Sequence, residues 1–215
     1  MRDALTVFWR AVRDWYNGMV SFAAMNALWF GAALTIVLLG PATAGLYAVT
    51  YSAARGTGQH FSDFWQGARE YLWISLRWLL LNVIIVIVFA VNIWFYGSAP
   101  GLLGQIVLIV LITLGLLWIT TQLYLWPFLV LQEEPKLRTA LKNALFLALA
   151  TPVYTLTLLS CALAALIFSV VLIAPLALFL TSFLALLGSL AVRERLQTFG
   201  KLPSPAPTPI DGEPL

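Results

Sequence analysis

The chain is predicted to be all-α: a polytopic membrane helical bundle of about six membrane segments, arranged as three hairpins, each preceded by an interfacial amphipathic helix. Three observations predict it. First, 61% of the 215 residues are hydrophobic and only 10% are charged, against roughly 45–50% and about 25% in an average soluble domain. A soluble core cannot hide that much apolar surface. Second, the charges bracket three long blanks. No Asp, Glu, Lys or Arg lies between Asp14 and Arg55, between Arg77 and Glu133, or between Lys142 and Arg193. A crossing takes about 20 residues for about 30 Å of hydrocarbon, so each blank has room for two crossings and a turn. Third, a short segment with apolar residues every three or four positions precedes each blank.

Taken in order, residues 2–18 read as an in-plane helix with Leu5, Phe8, Trp9, Val12, Trp15, Tyr16 and Met19 on one face. Trp and Tyr favour the headgroup level, which suits an interfacial helix. Asn17-Gly18 lets the chain bend into a first span of about 20–39. The apolar run from Met19 to Leu39 is too long for a secretory signal, so this span is expected to stay. Gly40-Pro41 is the expected hinge. The stretch of about 41–54 is short and rich in small residues, and is read either as a short span or as a re-entrant half-helix inside the bundle.

Arg55–Gly58 then forms a polar turn. A second in-plane helix, about 61–72 with Ser62 as N-cap, is expected to run without a break into a span of about 73–96. Gly97–Gly101 turns the chain into a return span of about 102–127. A third in-plane helix at about 136–143 leads to spans of about 144–168 and 173–192, with Pro175 near the start of the last. Residues 1–202 form one integral membrane domain, and the Pro-rich 203–215 is expected to be a disordered, polyproline-like cytoplasmic tail. Three hairpins put every charge on one side, which the positive-inside rule makes cytoplasmic together with both termini.

The unit recurs. Phe8–Asn26 (FWRAVRDWYNGMVSFAAMN) and Phe64–Asn82 (FWQGAREYLWISLRWLLLN) align without a gap. Phe8, Trp9, Arg13, Asp14, Trp15 and Asn26 fall on Phe64, Trp65, Arg69, Glu70, Tyr71 and Asn82. A weaker third copy starts at Leu137 and puts Thr155 where the other two have Asn.

Few residues are equipped for chemistry. Glu133, Glu134 and Arg138 spell the EExxxR string of intramembrane CaaX-type proteases, but that chemistry needs several histidines and His60 stands alone. No HExxH, CxxC, Walker loop or GxSxG occurs, and no carboxylate lies inside a predicted span. Cys161 has no partner for an intrachain disulfide. The scattered basic residues do not make a nucleic-acid surface. No cofactor is expected, and the expected partners are membrane lipids and a membrane-protein partner such as a transport-system subunit.

Polar groups within hydrocarbon need partners. Asn26, Asn82, Gln122 and Thr155 therefore read either as glue between helices or as the lining of one polar cavity. Arg13, Arg69 and Trp65 read as headgroup contacts or as a docking surface for a partner.

The run from Asn26 to Tyr51, followed by Phe64–Arg69, carries an Asn-aromatic first span, a Gly-Pro-Ala turn with a following Tyr, and a Phe-x-x-Phe-aromatic segment with a later Arg. In Asn26, Trp29, Gly40, Pro41, Ala42, Tyr47, Phe61, Phe64 and Arg69 the chain resembles the YesL family of bacterial membrane proteins, a domain of unknown function. The resemblance covers roughly the first eighty residues. It implies a bacterial cytoplasmic-membrane setting beside carbohydrate uptake, and it carries over no catalytic residue. The expected function is that of a non-enzymatic accessory or assembly partner of such a membrane system. The alternative is a small transporter or binding protein for a neutral solute or lipid.

Overall fold

The apolar blanks become helices because a chain with few polar side chains can satisfy its backbone only within itself. The computed structural model describes residues 2–98, 101–172 and 179–203. Among these the regular structure is entirely helical: α1 (Arg2–Asn17), α2 (Met19–Ala33), α3 (Leu39–Arg55), α4 (Phe61–Glu70), α5 (Leu72–Gly97), α6 (Leu102–Leu131), α7 (Leu137–Ala150), α8 (Pro152–Leu172) and α9 (Thr181–Thr198). Pro175, Ala99-Pro100 and the tail from 204 onward lie outside the described residues.

By length and composition, three of these helices can cross a membrane: α5, α6, and α8 over Pro152–Ser169. α2 is apolar but has only 15 residues, about 22 Å at 1.5 Å per residue. α3 and α9 are enclosed by protein on nearly every side.

Helices α3 and α9 make the centre because their sequences are small where neighbours press. A Cβ on Gly45 would lie 2.4 Å from the Phe64 carbonyl oxygen, and one on Gly67 would lie 2.5 Å from Ala48 Cβ, so α3 and α4 meet almost backbone to backbone. A Cβ on Gly188 would lie 2.4 Å from the Leu123 carbonyl oxygen. That carbonyl is the one Pro127, inside α6, cannot reach with an N–H. The close approach of α9 therefore covers the gap in the α6 ladder.

Around this centre pack α1, α2, α4, the C-terminal half of α6 and the start of α8. Against it α1 buries Ala4, Val7, Ala11 and Trp15. The expected apolar face is divided: Phe8, Val12 and Trp15 pack inward, and Leu5, Trp9, Tyr16 and Met19 point outward. The small Ala4 and Ala11 let α1 come close to α9.

The distal parts of α5 and α6 leave the bundle as a two-helix arm with apolar side chains exposed on all sides, from Leu80 to Phe95 and from Leu102 to Ile119.

Several boundaries move. The expected Gly40-Pro41 hinge is not where the chain turns: the turn is Leu34–Leu38, with Ile36 at φ 59°. Pro41 sits in the first turn of α3, where a missing N–H costs nothing, and Gly40 is a contact residue, its would-be Cβ 2.7 Å from the Ser75 carbonyl oxygen. The second unit does not run straight into its span, since Tyr71 (φ −96°, ψ 14°) separates α4 from α5. His60, not Ser62, occupies the N-cap of α4. The third short helix extends to Ala150, and Thr151 breaks it because Pro152 disfavours helical backbone at the residue before it. Gly56 ends α3 at φ 78°, with Thr57 and Gly56 N–H on the Ser52 and Ala53 carbonyls, a Schellman close.

Candidate functional site: an aromatic cavity where α3, α5 and α6 meet

The point where the exposed arm leaves the bundle is built from aromatic rings. Tyr47 of α3 stacks on Trp126 of α6, with centroids 5.9 Å apart and planes 18° from parallel. Trp78 of α5 meets the same indole edge-on at 5.3 Å and 70°. Rings avoid a face-to-face sandwich because their quadrupoles repel, so offset and T-shaped contacts hold three helices at fixed angles.

Beside them opens a cavity of about 360 Å³. Its wall includes Trp29, Leu39, Thr43, Tyr47, Trp78, Gln122, Trp126, Leu159, Thr181 and Leu184. Among the described residues, no charged one lines it.

The polar groups of the wall are partly used. Trp29 Nε1 donates to Thr43 Oγ1 at 2.9 Å, and the Thr43 hydroxyl donates to the Leu39 carbonyl at 2.7 Å. Trp78 Nε1 donates to Gln122 Oε1 at 2.8 Å. Gln122 Nε2 and Trp126 Nε1 are buried and have no acceptor among the described residues. A buried donor left unpaired costs about 1–3 kcal/mol, and both of these belong to residues of the wall.

Of the four polar positions singled out from the sequence, only Gln122 belongs to this wall; the other three lie elsewhere. Asn26 is fully buried, and its Oδ1 accepts the Ser182 N–H at 2.9 Å, tying α2 to α9. Asn82 Oδ1 accepts Trp118 Nε1 at 3.2 Å, and its Nδ2 donates to the Trp78 carbonyl at 2.9 Å, tying α5 to α6. Thr155 shares a hydrogen bond of 3.1 Å with the Tyr124 hydroxyl, tying α8 to α6. The two Asn side chains serve different helix pairs and do not line one cavity.

Arg13, Arg69 and Trp65 are all exposed. Trp9 and Arg13 on α1, like Trp65 and Arg69 on α4, are four residues apart and so share the outward face of their helix.

Sequence reasoning missed two features. Arg195, near the end of α9, is only 8% exposed. Its guanidinium carbon lies 3.6 Å from the centroid of the Tyr154 ring, and its Nη2 donates to Asp3 at 3.4 Å. Its Nε also lies 2.9 Å from Glu194 Oε2, a charge contact without hydrogen-bond alignment. This one side chain joins α1, α8 and α9. Its position among Arg193, Glu194 and Arg195 was visible, but which of the three turns inward depends on the rotation of α9. The second is a polar cleft between α3 and α4, lined by Tyr51, Arg55, Asp63, Gln66, Glu70 and Tyr71. Burial, with Glu70 and Tyr51 adding to it, pushes the Tyr71 phenol up to about 12, so it stays a neutral hydroxyl. Among the described residues, no three His, Cys, Asp or Glu side chains gather where they could hold a metal ion.

No curated protein and no solved structure matches the chain. Over residues 22–93, which supply Trp29, Thr43, Tyr47 and Trp78 but neither Gln122 nor Trp126, the chain is similar to a family described as protein of unknown function, DUF624.

Proposed function

We propose that the protein is a non-enzymatic integral membrane protein whose aromatic cavity holds a neutral amphiphile through a carbonyl or hydroxyl acceptor. The observation that carries this reading is the pairing of an uncharged, ring-lined wall with two buried donors lacking acceptors, Gln122 Nε2 and Trp126 Nε1. An ionic ligand would find no counter-charge there. An ester, alcohol or amide would gain both apolar burial and the missing hydrogen bonds. The setting is the bacterial cytoplasmic membrane, with the charged helix ends and both termini inside, and with α5 and α6 crossing. The test is lipid mass spectrometry of protein purified in mild detergent, comparing wild type with Gln122→Leu and Trp126→Phe. A neutral lipid enriched over the bulk extract in wild type and lost from both variants is expected. An identical lipid profile in all three overturns the reading.

A second reading is favoured by the exposed α5–α6 arm. Apolar side chains face outward all round it, so it offers a membrane partner two helix faces as well as lipid. On this reading the protein is an accessory or assembly partner of a membrane system such as carbohydrate uptake. Co-purification from mild detergent should then recover a transport-system subunit. A clean monomer counts against it.

A further inference from the structure

The link between α2 and α3, Leu34–Leu38, combines properties that rarely occur together. It is irregular, and it is apolar and exposed: Leu34 is 86%, Ile36 67% and Val37 62% accessible. An exposed link normally relies on water to satisfy its backbone. This one satisfies itself. The N–H groups of Leu34, Thr35, Ile36 and Leu39 donate to the carbonyls of Phe30, Ala32, Ala33 and Ile36 at 3.0–3.2 Å. Val37 N–H reaches the Thr35 carbonyl at 2.6 Å, and Leu38 N–H uses the Thr35 hydroxyl oxygen at 3.2 Å. That hydroxyl donates in turn to the Ala32 carbonyl at 2.7 Å. Closing the turn this way puts Ile36 at φ 59°, a left-handed conformation that β-branched residues avoid. With its donors already used, the turn can be covered by hydrocarbon, where an ordinary loop cannot.

Its depth follows from α5. Gly40, just past the turn, stands against the Ser75 carbonyl, and Leu39 shares a cavity wall with Trp78. From that level α5 continues to Gly97, which at 1.5 Å per residue is about 28 Å. An α5 that crosses about 30 Å of hydrocarbon therefore leaves the turn beside its first helical turns, far from the opposite face. Arg55, Arg69, Glu70 and Arg77 mark that same end of α5 as the charged one.

We propose that α2 and α3 form a re-entrant hairpin: they dip into the leaflet at the charged end of the bundle and return, with the acyl chains of that leaflet covering the Leu34–Leu38 apex. The proposal rests on the reading of α5 and α6 as membrane-crossing, and the test separates the two.

In a Cys161→Ala background, single cysteines are placed at the apex (Val37→Cys), at the far end of the arm (Ser98→Cys) and in the polar turn after α3 (Thr57→Cys). Sealed right-side-out and inverted vesicles are treated with a membrane-impermeant maleimide, and labelling in sodium dodecyl sulfate serves as control. All three positions are exposed, so the substitutions leave packing alone. Thr57→Cys should react from one face only and Ser98→Cys from the other only. Val37→Cys should react from neither face in sealed vesicles, because a thiol covered by acyl chains stays protonated and the thiolate is the nucleophile, and should react fully once the membrane is dissolved in sodium dodecyl sulfate. Labelling of Val37→Cys from the Ser98 face would mean a full crossing, and labelling from the Thr57 face an apex in water; either overturns the re-entrant hairpin while leaving the arm intact. Thr57→Cys and Ser98→Cys reacting from the same face would overturn the crossing of α5 and α6, and the hairpin assignment with it. A bimane on Val37→Cys should also be quenched more strongly by lipids brominated on their acyl chains than by aqueous iodide, and the reverse order would overturn the proposal.

Discussion

The α1–α2 pair and the α4–α5 pair carry matching residues at matching spacing, yet Asn26 ends fully buried against α9 while Asn82 lies half-buried between the two helices of the exposed arm. The outward features agree: Trp9 with Arg13, and Trp65 with Arg69, face away from the bundle in both. The inward features diverge because the backbone breaks at different points. Gly18 interrupts the first pair ten residues after Phe8, whereas Tyr71 interrupts the second seven residues after Phe64. Three residues of offset along a helix of 3.6 residues per turn change both the depth and the direction of everything downstream. A gapless sequence match thus reports a shared outward face, and equivalent burial does not follow from it.

That comparison can be broken or sharpened by substitution. The largest expected effect is at Gly45, where α4 of the second unit lies against α3. Gly45→Ala places a methyl 2.4 Å from a backbone oxygen that cannot move alone. It should destabilise by about 1–3 kcal/mol or more, read as a lower unfolding temperature in detergent. Unchanged stability would mean that α3 and α4 are not in backbone contact.

Next come the two Asn residues. Asn26→Leu removes the acceptor of the buried Ser182 N–H and should cost about 1–3 kcal/mol. Asn82→Leu loses one interhelical bond at a half-buried site and should cost about 0.6 kcal/mol. Equal losses in the same denaturation assay would restore the equivalence that the structure denies.

A smaller effect is expected at the shared outward face. Trp65→Ala with Arg69→Gln should weaken the retention of anionic over zwitterionic lipid by the protein in mixed detergent micelles by about 1 kcal/mol for the lost cation, with unfolding temperature unchanged. A matching loss for Trp9→Ala with Arg13→Gln would confirm that the two faces do the same work, and a loss in only one unit would separate them.

The smallest change is a gain. Among the described residues nothing lies within 4 Å of a would-be Cβ on Gly31 in α2, so Gly31→Ala should stabilise by about 0.5–1 kcal/mol. A loss there instead would mean that the outer face of α2 is packed.

Much of the fold was legible in the chain. Charge spacing located the apolar helices, Asn17-Gly18 located the first break, and Gly56 with Thr57 closed α3 where the polar turn was expected. The misplaced features have local causes. Pro152 was overlooked as the stop for α7, and Gly40-Pro41 drew the hinge away from Leu34–Leu38, because a turn made of Leu, Thr, Ile and Val carries no turn residue to read. The candidate site was legible only in part. Gln122 stood out as a polar residue in an apolar run, whereas Trp78 and Trp126 looked like any interfacial tryptophan until α3, α5 and α6 were brought together.

Composition and charge spacing by themselves determined that this protein is helical, mostly apolar, and charged only outside three long apolar blocks, because hydrophobic burial and backbone satisfaction depend on residue type and run length. Only the tertiary structure decided which helices are enclosed and which are exposed, where the chain turns between α2 and α3, and that Tyr47, Trp78, Gln122 and Trp126 share a wall. Those outcomes depend on the rotation and contact of helices far apart in sequence. They turn on single close approaches at Gly40, Gly45 and Gly188, whose partners the chain order does not disclose.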